Sequence, residues 1–71
     1  MPHPYLLSLA AEYIELVDAM RHGRYTSDEL RTLDSERQVT HNALIDIVGT
    51  QPDMYAYARA VLLAAKGRND Q

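Results

Sequence analysis

Cysteine, tryptophan and phenylalanine are all absent from this 71-residue chain. Without cysteine there is no disulfide, no thiolate metal site and no thiol nucleophile. The aromatic content is five tyrosines, each bringing bulk and a hydroxyl that needs a partner or water. Long apolar runs are missing too. Leu6-Leu7 and Val61-Leu62-Leu63 are among the longest outside the alanine-rich stretches, far below the ~20 residues that span a bilayer. Positive charge is in deficit, with a net charge of −3. That argues against nucleic acid, whose binders neutralise phosphates with Lys and Arg, and against anionic membrane surfaces. The Met1-Pro2-His3-Pro4 start has no basic stretch of a secretory signal, so a cytoplasmic address is expected. Neither a Gly-x-Ser-x-Gly elbow nor a glycine-rich phosphate loop occurs.

What is present is helical periodicity. Leu6, Leu9, Tyr13, Leu16, Val17 and Met20 recur at intervals of three or four, or beside that row, with Ala10 and Ile14 widening the stripe. Ser8, Glu12, Glu15 and Asp18 fall on the other side, which reads as a solvated face. Pro4 suits a first helical turn, and Gly23 supplies a left-handed stop after Arg21 and His22. The expected first helix is 4–22.

Thr26-Ser27-Asp28-Glu29 fits a capping box, with Tyr25 and Leu30 placed for a hydrophobic staple. The second helix is expected at 27–48, ending at Gly49. Ser35-Glu36-Arg37-Gln38 reads as a second box, so a break near Asp34-Ser35 is the competing expectation. No Gly or Pro interrupts the segment, which favours one helix. The third helix is expected at 52–66, capped by Thr50 or Gln51 and stopped by Gly67, with Arg68 to Gln71 as a frayed tail. Met54, Ala58, Val61, Leu62 and Ala65 form its buried row. Short connections favour antiparallel neighbours. The expected fold is all-α: one domain, a three-helix up-down-up bundle open to assembly as a helical dimer, or two long helices with the third packed across a dimer.

One polar cluster interrupts this pattern. Leu30, Leu33, Arg37, His41, Leu44 and Val48 share a stripe at 100° per residue, so Arg37 and His41 stand within an apolar row. Asp34, Arg37, His41 and Asn42 are the candidate polar cluster. A cation there must be paired or must reach water. One reading pairs Arg37 with Asp34, Glu12 or Glu15 and bonds His41 to a tyrosine hydroxyl or a carbonyl. The other opens a pocket in which Arg37 grips a carboxylate or small anion. Catalysis by Asp34, Arg37 and His41 requires an open cleft. No metal site or cofactor is expected. His3, His22 and His41 are scattered, Ile45 stands one turn after His41, and Pro2 lacks the N–H that a terminal copper site deprotonates.

Leu33-Asp34, Arg37, His41-Asn42 and Leu44-Ile45 form a Leu-Asp-x-x-Arg-x-x-x-His-Asn-x-Leu-Ile pattern. From Tyr13 to Ile45 the chain resembles small all-helical bacterial proteins of unknown function. That resemblance implies the fold class and no activity. Ser27-Asp28-Glu29-Leu30 also resembles part of the Ser-x-x-Leu-Asp stretch of small helical-hairpin sporulation phosphatases. Arg31 stands where those carry their functional Asp, so the activity does not carry over.

The third helix is apolar over more than one face, and Tyr55, Tyr57, Val61 and Leu62 are the candidate interface. The leading expectation is therefore a non-enzymatic interaction module whose partner is a protein, foremost a second copy in a homodimer. No nucleic-acid, membrane or small-molecule partner is indicated. The alternatives are a small helix-turn-helix-like DNA-binding regulator, for which Arg59 and Lys66 are the offered cations, and a small phosphatase-like enzyme.

Overall fold

The computed structural model describes residues 4–69, which form three helices: α1 (Pro4–His22), α2 (Ser27–Val48) and α3 (Met54–Asn69). The Met1-Pro2-His3 start, with the copper question attached to it, and Asp70-Gln71 lie outside the described residues.

α1 buries Leu9, Ala10, Tyr13, Leu16 and Val17, the stripe its periodicity predicts. Ser8, Glu12 and Glu15 are exposed. The helix closes with a hydrogen bond from the Gly23 N–H to the Ala19 carbonyl at 2.7 Å. Gly23 does not stop it in a left-handed conformation, contrary to expectation: Gly49 is the glycine with positive φ among the described residues. Space explains Gly23 instead. A Cβ there would lie 2.6 Å from the Ala19 carbonyl oxygen and collide with the Tyr25 ring. The corner is tight enough that Tyr25 covers the position a side chain would take.

The capping box is formed in full. Thr26 Oγ1 accepts from the Glu29 N–H at 3.2 Å, and Glu29 Oε1 accepts from the Thr26 N–H at 2.9 Å. Two of the orphan amides at the start of α2 are thereby satisfied. Asp28 and Glu29 sit in the first turn, where the helix dipole favours negative charge. The helix continues unbroken through Asp34-Ser35 to Val48. At its end the Gly49 N–H donates to Ile45 at 2.8 Å. Gly49 has φ 80°, a region that costs a residue with a Cβ.

α3 starts at Met54, two residues later than expected. The cap is Asp53, whose Oδ1 accepts from the Ala56 N–H at 3.1 Å while its carbonyl accepts from Tyr57 at 3.0 Å. A carboxylate three residues before an amide makes a stronger cap than Pro52 makes a first turn. Gln51, expected to cap α3, serves α2 instead: its Nε2 donates to the Val48 carbonyl at 3.1 Å. Gly67 does not end α3, which runs through Arg68 to Asn69.

These helices assemble as a three-helix bundle with α1 in the middle. α1 packs against both α2 and α3, which touch each other only weakly. Leu9, Ala10, Tyr13 and Val17 of α1 join Leu44 of α2 and Met54 and Ala58 of α3 in one core. Ala10, Leu44 and Ala58 have no exposed surface; alanines at a helix contact let the axes approach closely. The radius of gyration is 13.0 Å, against about 11 Å for a compact domain of this length. The shape is elongated, 42 × 25 × 20 Å. Among the described residues no helix is long and apolar enough to cross a membrane.

Candidate functional site

The polar cluster of α2 faces α1 and closes on itself. Arg37 donates from Nε to Asp34 Oδ1 at 3.0 Å, and its NH2 lies 3.0 Å from the same oxygen. Asp34 Oδ2 accepts from Gln38 Nε2 at 3.0 Å. These residues lie three and four apart, the spacing at which helical neighbours meet. The Tyr13 hydroxyl, reaching across from α1, also favours the arginine's charge. Desolvation works against the arginine's charge, but Asp34 and Tyr13 outweigh it and hold its pKa above the ordinary value.

Tyr13 also lies 3.2 Å from His41 Nδ1. The rings are tilted at 51° with centroids 5.6 Å apart. Which of the two groups donates follows the histidine's tautomer. Asp34, Arg37 and His41 are thus brought together through Tyr13, and Asn42 stands exposed, one residue and about 100° further around the helix.

This arrangement is a seam with paired groups rather than an open cleft. Asp34 Oδ1 takes the Nε and NH2 side of the guanidinium. No buried side-chain nitrogen or oxygen among the described residues lacks a hydrogen-bond partner. Of the partners weighed for Arg37, Asp34 is used, while Glu12 and Glu15 remain exposed. That Tyr13 in particular is the partner of His41 was not read from the sequence. Its signal was a tyrosine within the buried row of α1, whose hydroxyl had to bond something. Among the described residues no group of three or more His, Cys, Asp or Glu is arranged to hold a metal ion.

A second polar junction ties α3 to α1. The Tyr55 hydroxyl donates to Asp18 Oδ1 at 2.7 Å. The Arg21 guanidinium lies 4.9 Å and that of Arg59 5.9 Å from the centroid of the Tyr55 ring, within cation–π range. Asp18 is half-buried, a correction to its placement on the solvated face. The bond to Asp18, then partial burial and the carboxylate's charge, raise the Tyr55 pKa above 10.0, against the pull of Arg59 and Arg21. The candidate interface of Tyr55, Tyr57, Val61 and Leu62 is half-buried and packs against the core of its own chain. The surplus apolar surface of α3 is correspondingly smaller than its sequence suggests.

The larger exposed apolar side chains lie elsewhere: Tyr5, Tyr25, Val39, Ile47 and Leu63. Tyr5 and Val39 flank an open groove of about 410 Å³ between α1 and α2. Leu9 and Ala43 line it with them, and Glu12 and Glu36 border it. Thr40 also contributes, its hydroxyl donating to the Glu36 carbonyl at 2.9 Å. Periodicity within one helix could not find this groove, because its walls come from two helices. Comparison with known protein families, with curated proteins and with solved structures finds no match for this chain.

Proposed function

We propose that this chain is a small non-catalytic helical module that works by binding protein, and that its first partner is a second copy of itself. The carrying observation is the exposed apolar surface around the α1–α2 groove, where Tyr5 is 58% and Val39 70% exposed. Burying a side chain of that size on association is worth about 1.5–3 kcal/mol, enough for a few such contacts to hold a weak complex. The elongated shape supports the same reading, since it leaves more surface for a partner than a compact domain of equal length. The Asp34–Arg37–Tyr13–His41 seam supports a non-enzymatic role, because each of its groups already has an internal partner. A cytoplasmic address accompanies this reading.

Light scattering from low to high micromolar concentration tests it. Particle mass should rise with concentration; a strict monomer throughout would overturn homotypic association.

A DNA-binding reading has one observation in its favour: α3 carries Arg59, Lys66 and Arg68 and no carboxylate. Its test is binding to duplex DNA that weakens steeply with salt. Three cations in an acidic chain make a poor phosphate surface, and the same helix has a better acidic counterpart on the chain itself.

A further inference from the structure

Charge is divided unevenly among the helices. α1 holds three carboxylates against one arginine, and α2 holds five against two. α3 holds cations alone. The division coincides with two apolar surfaces. On α3, Leu63 is 63% exposed, with exposed Ala60 and Ala64 beside it. Arg59 stands four residues before Leu63 and Lys66 three residues after, both exposed. Helical spacing places these on one face, a leucine between two cations. On the other side of the charge division is the groove, apolar along Tyr5, Leu9, Val39 and Ala43 and bordered by Glu12 and Glu36.

A cationic helix with an apolar knob matches an anionic groove with an apolar floor. Within one chain α3 leans on α1 through Met54, Ala58 and Tyr55, which turns Leu63 away from that contact. We propose that the α1–α2 groove of one copy receives the outer face of α3 from a second copy, with Leu63 against Val39 and Ala43 and the flanking cations near Glu12 and Glu36. This rests on the homotypic association proposed above and names the two surfaces that meet. They differ, and the pairing is isologous where both copies reciprocate it and heterologous where they do not. It closes into a two-fold dimer when both copies exchange α3 faces, and extends into a chain when they do not. Opposite charge speeds encounter and selects the register, while the apolar contact holds the complex.

Two single variants test the pairing. Val39→Arg puts a cation in the groove, and Leu63→Glu puts an anion on the α3 face. Both positions are exposed, and circular dichroism should show unchanged helix content and melting. Each variant alone should associate roughly tenfold or more weakly than the wild type. An equimolar mixture should recover a one-to-one complex by light scattering, because one copy keeps its groove and the other keeps its α3 face. Association of the wild type should also weaken as salt rises. If the wild type associates while the mixture stays as dissociated as its parts, the groove–α3 pairing is wrong and homotypic association stands. If the wild type is monomeric at high micromolar concentration, the proposed function fails first.

Discussion

Tyr55 and Asp18 join the first turn of α3 to the C-terminal half of α1 through a 2.7 Å hydrogen bond. Five residues, 49–53, carry the chain from the end of α2 to this point. The bond prefers the protonated phenol, which gives it a pH signature. An unperturbed tyrosine titrates near 10.0, and Tyr55 titrates higher in the folded protein. Between the two values the native state keeps a proton that the unfolded state has lost. The contribution is therefore full below about pH 10 and is lost as pH climbs through the native value. Tyr55→Phe should lower the melting temperature slightly at pH 7 and flatten its decline above pH 10. A variant that tracks the wild type in parallel across that range would contradict the assignment.

Thr26→Ala removes the acceptor of the Glu29 N–H and should cost about 1 kcal/mol of stability. Glu29→Ala removes the other half of the box. Because the two bonds support one helix start, the double variant should lose less than the two single losses added together. Urea denaturation of the four proteins measures this directly.

The three glycines should respond differently to alanine. Gly23→Ala drives a methyl group into the Ala19 carbonyl and the Tyr25 ring, and should destabilise by about 1–3 kcal/mol. Gly49→Ala meets no neighbour, but its backbone at φ 80° makes the change cost about 1 kcal/mol. Gly67 lies within α3 with open space around it, so alanine there should stabilise by up to about 0.5–1 kcal/mol. Thermal melts should reproduce the order Gly67→Ala, wild type, Gly49→Ala, Gly23→Ala, from most to least stable.

Among the described residues Leu44 is the largest side chain with no exposed surface, and it belongs to the core that joins all three helices. Leu44→Ala should cost about 2–5 kcal/mol. Tyr13→Phe keeps the packed ring and removes only the hydroxyl bonded to His41, so about 0.5–1.5 kcal/mol is expected. If Tyr13→Phe proved as damaging as Leu44→Ala by denaturant titration, the seam would hold the fold in a way these bonds do not explain.

The start of α2 was legible because a capping box is local: four consecutive residues contain both donors and both acceptors. The stripe of α1 was legible for the related reason that 3.6-residue periodicity reports one buried face. The start of α3 was misread because Pro52 and Asp53 compete for the same boundary, and the carboxylate cap prevails. Gly67 was misread as a stop: glycine lowers helix propensity without breaking the hydrogen-bond ladder, and α3 runs on to Asn69. Asp34, Arg37 and Gln38 were predictable neighbours on one helix. The choice of Tyr13 as the partner of His41 and the bond between Tyr55 and Asp18 were harder to foresee, since they cross between helices. The groove belongs to that class as well, since its lining comes from both α1 and α2.

The weak contact between α2 and α3 sets the order in which the molecule comes apart. Neither flanking helix braces the other, so α3 can detach from α1 while the α1–α2 hairpin keeps its capped corner and its Tyr13 seam. Backbone amides should record this as a hierarchy in hydrogen–deuterium exchange. Those of α3 exchange first, those of α2 later, and those in the middle of α1, shielded from both sides, only when the whole chain opens.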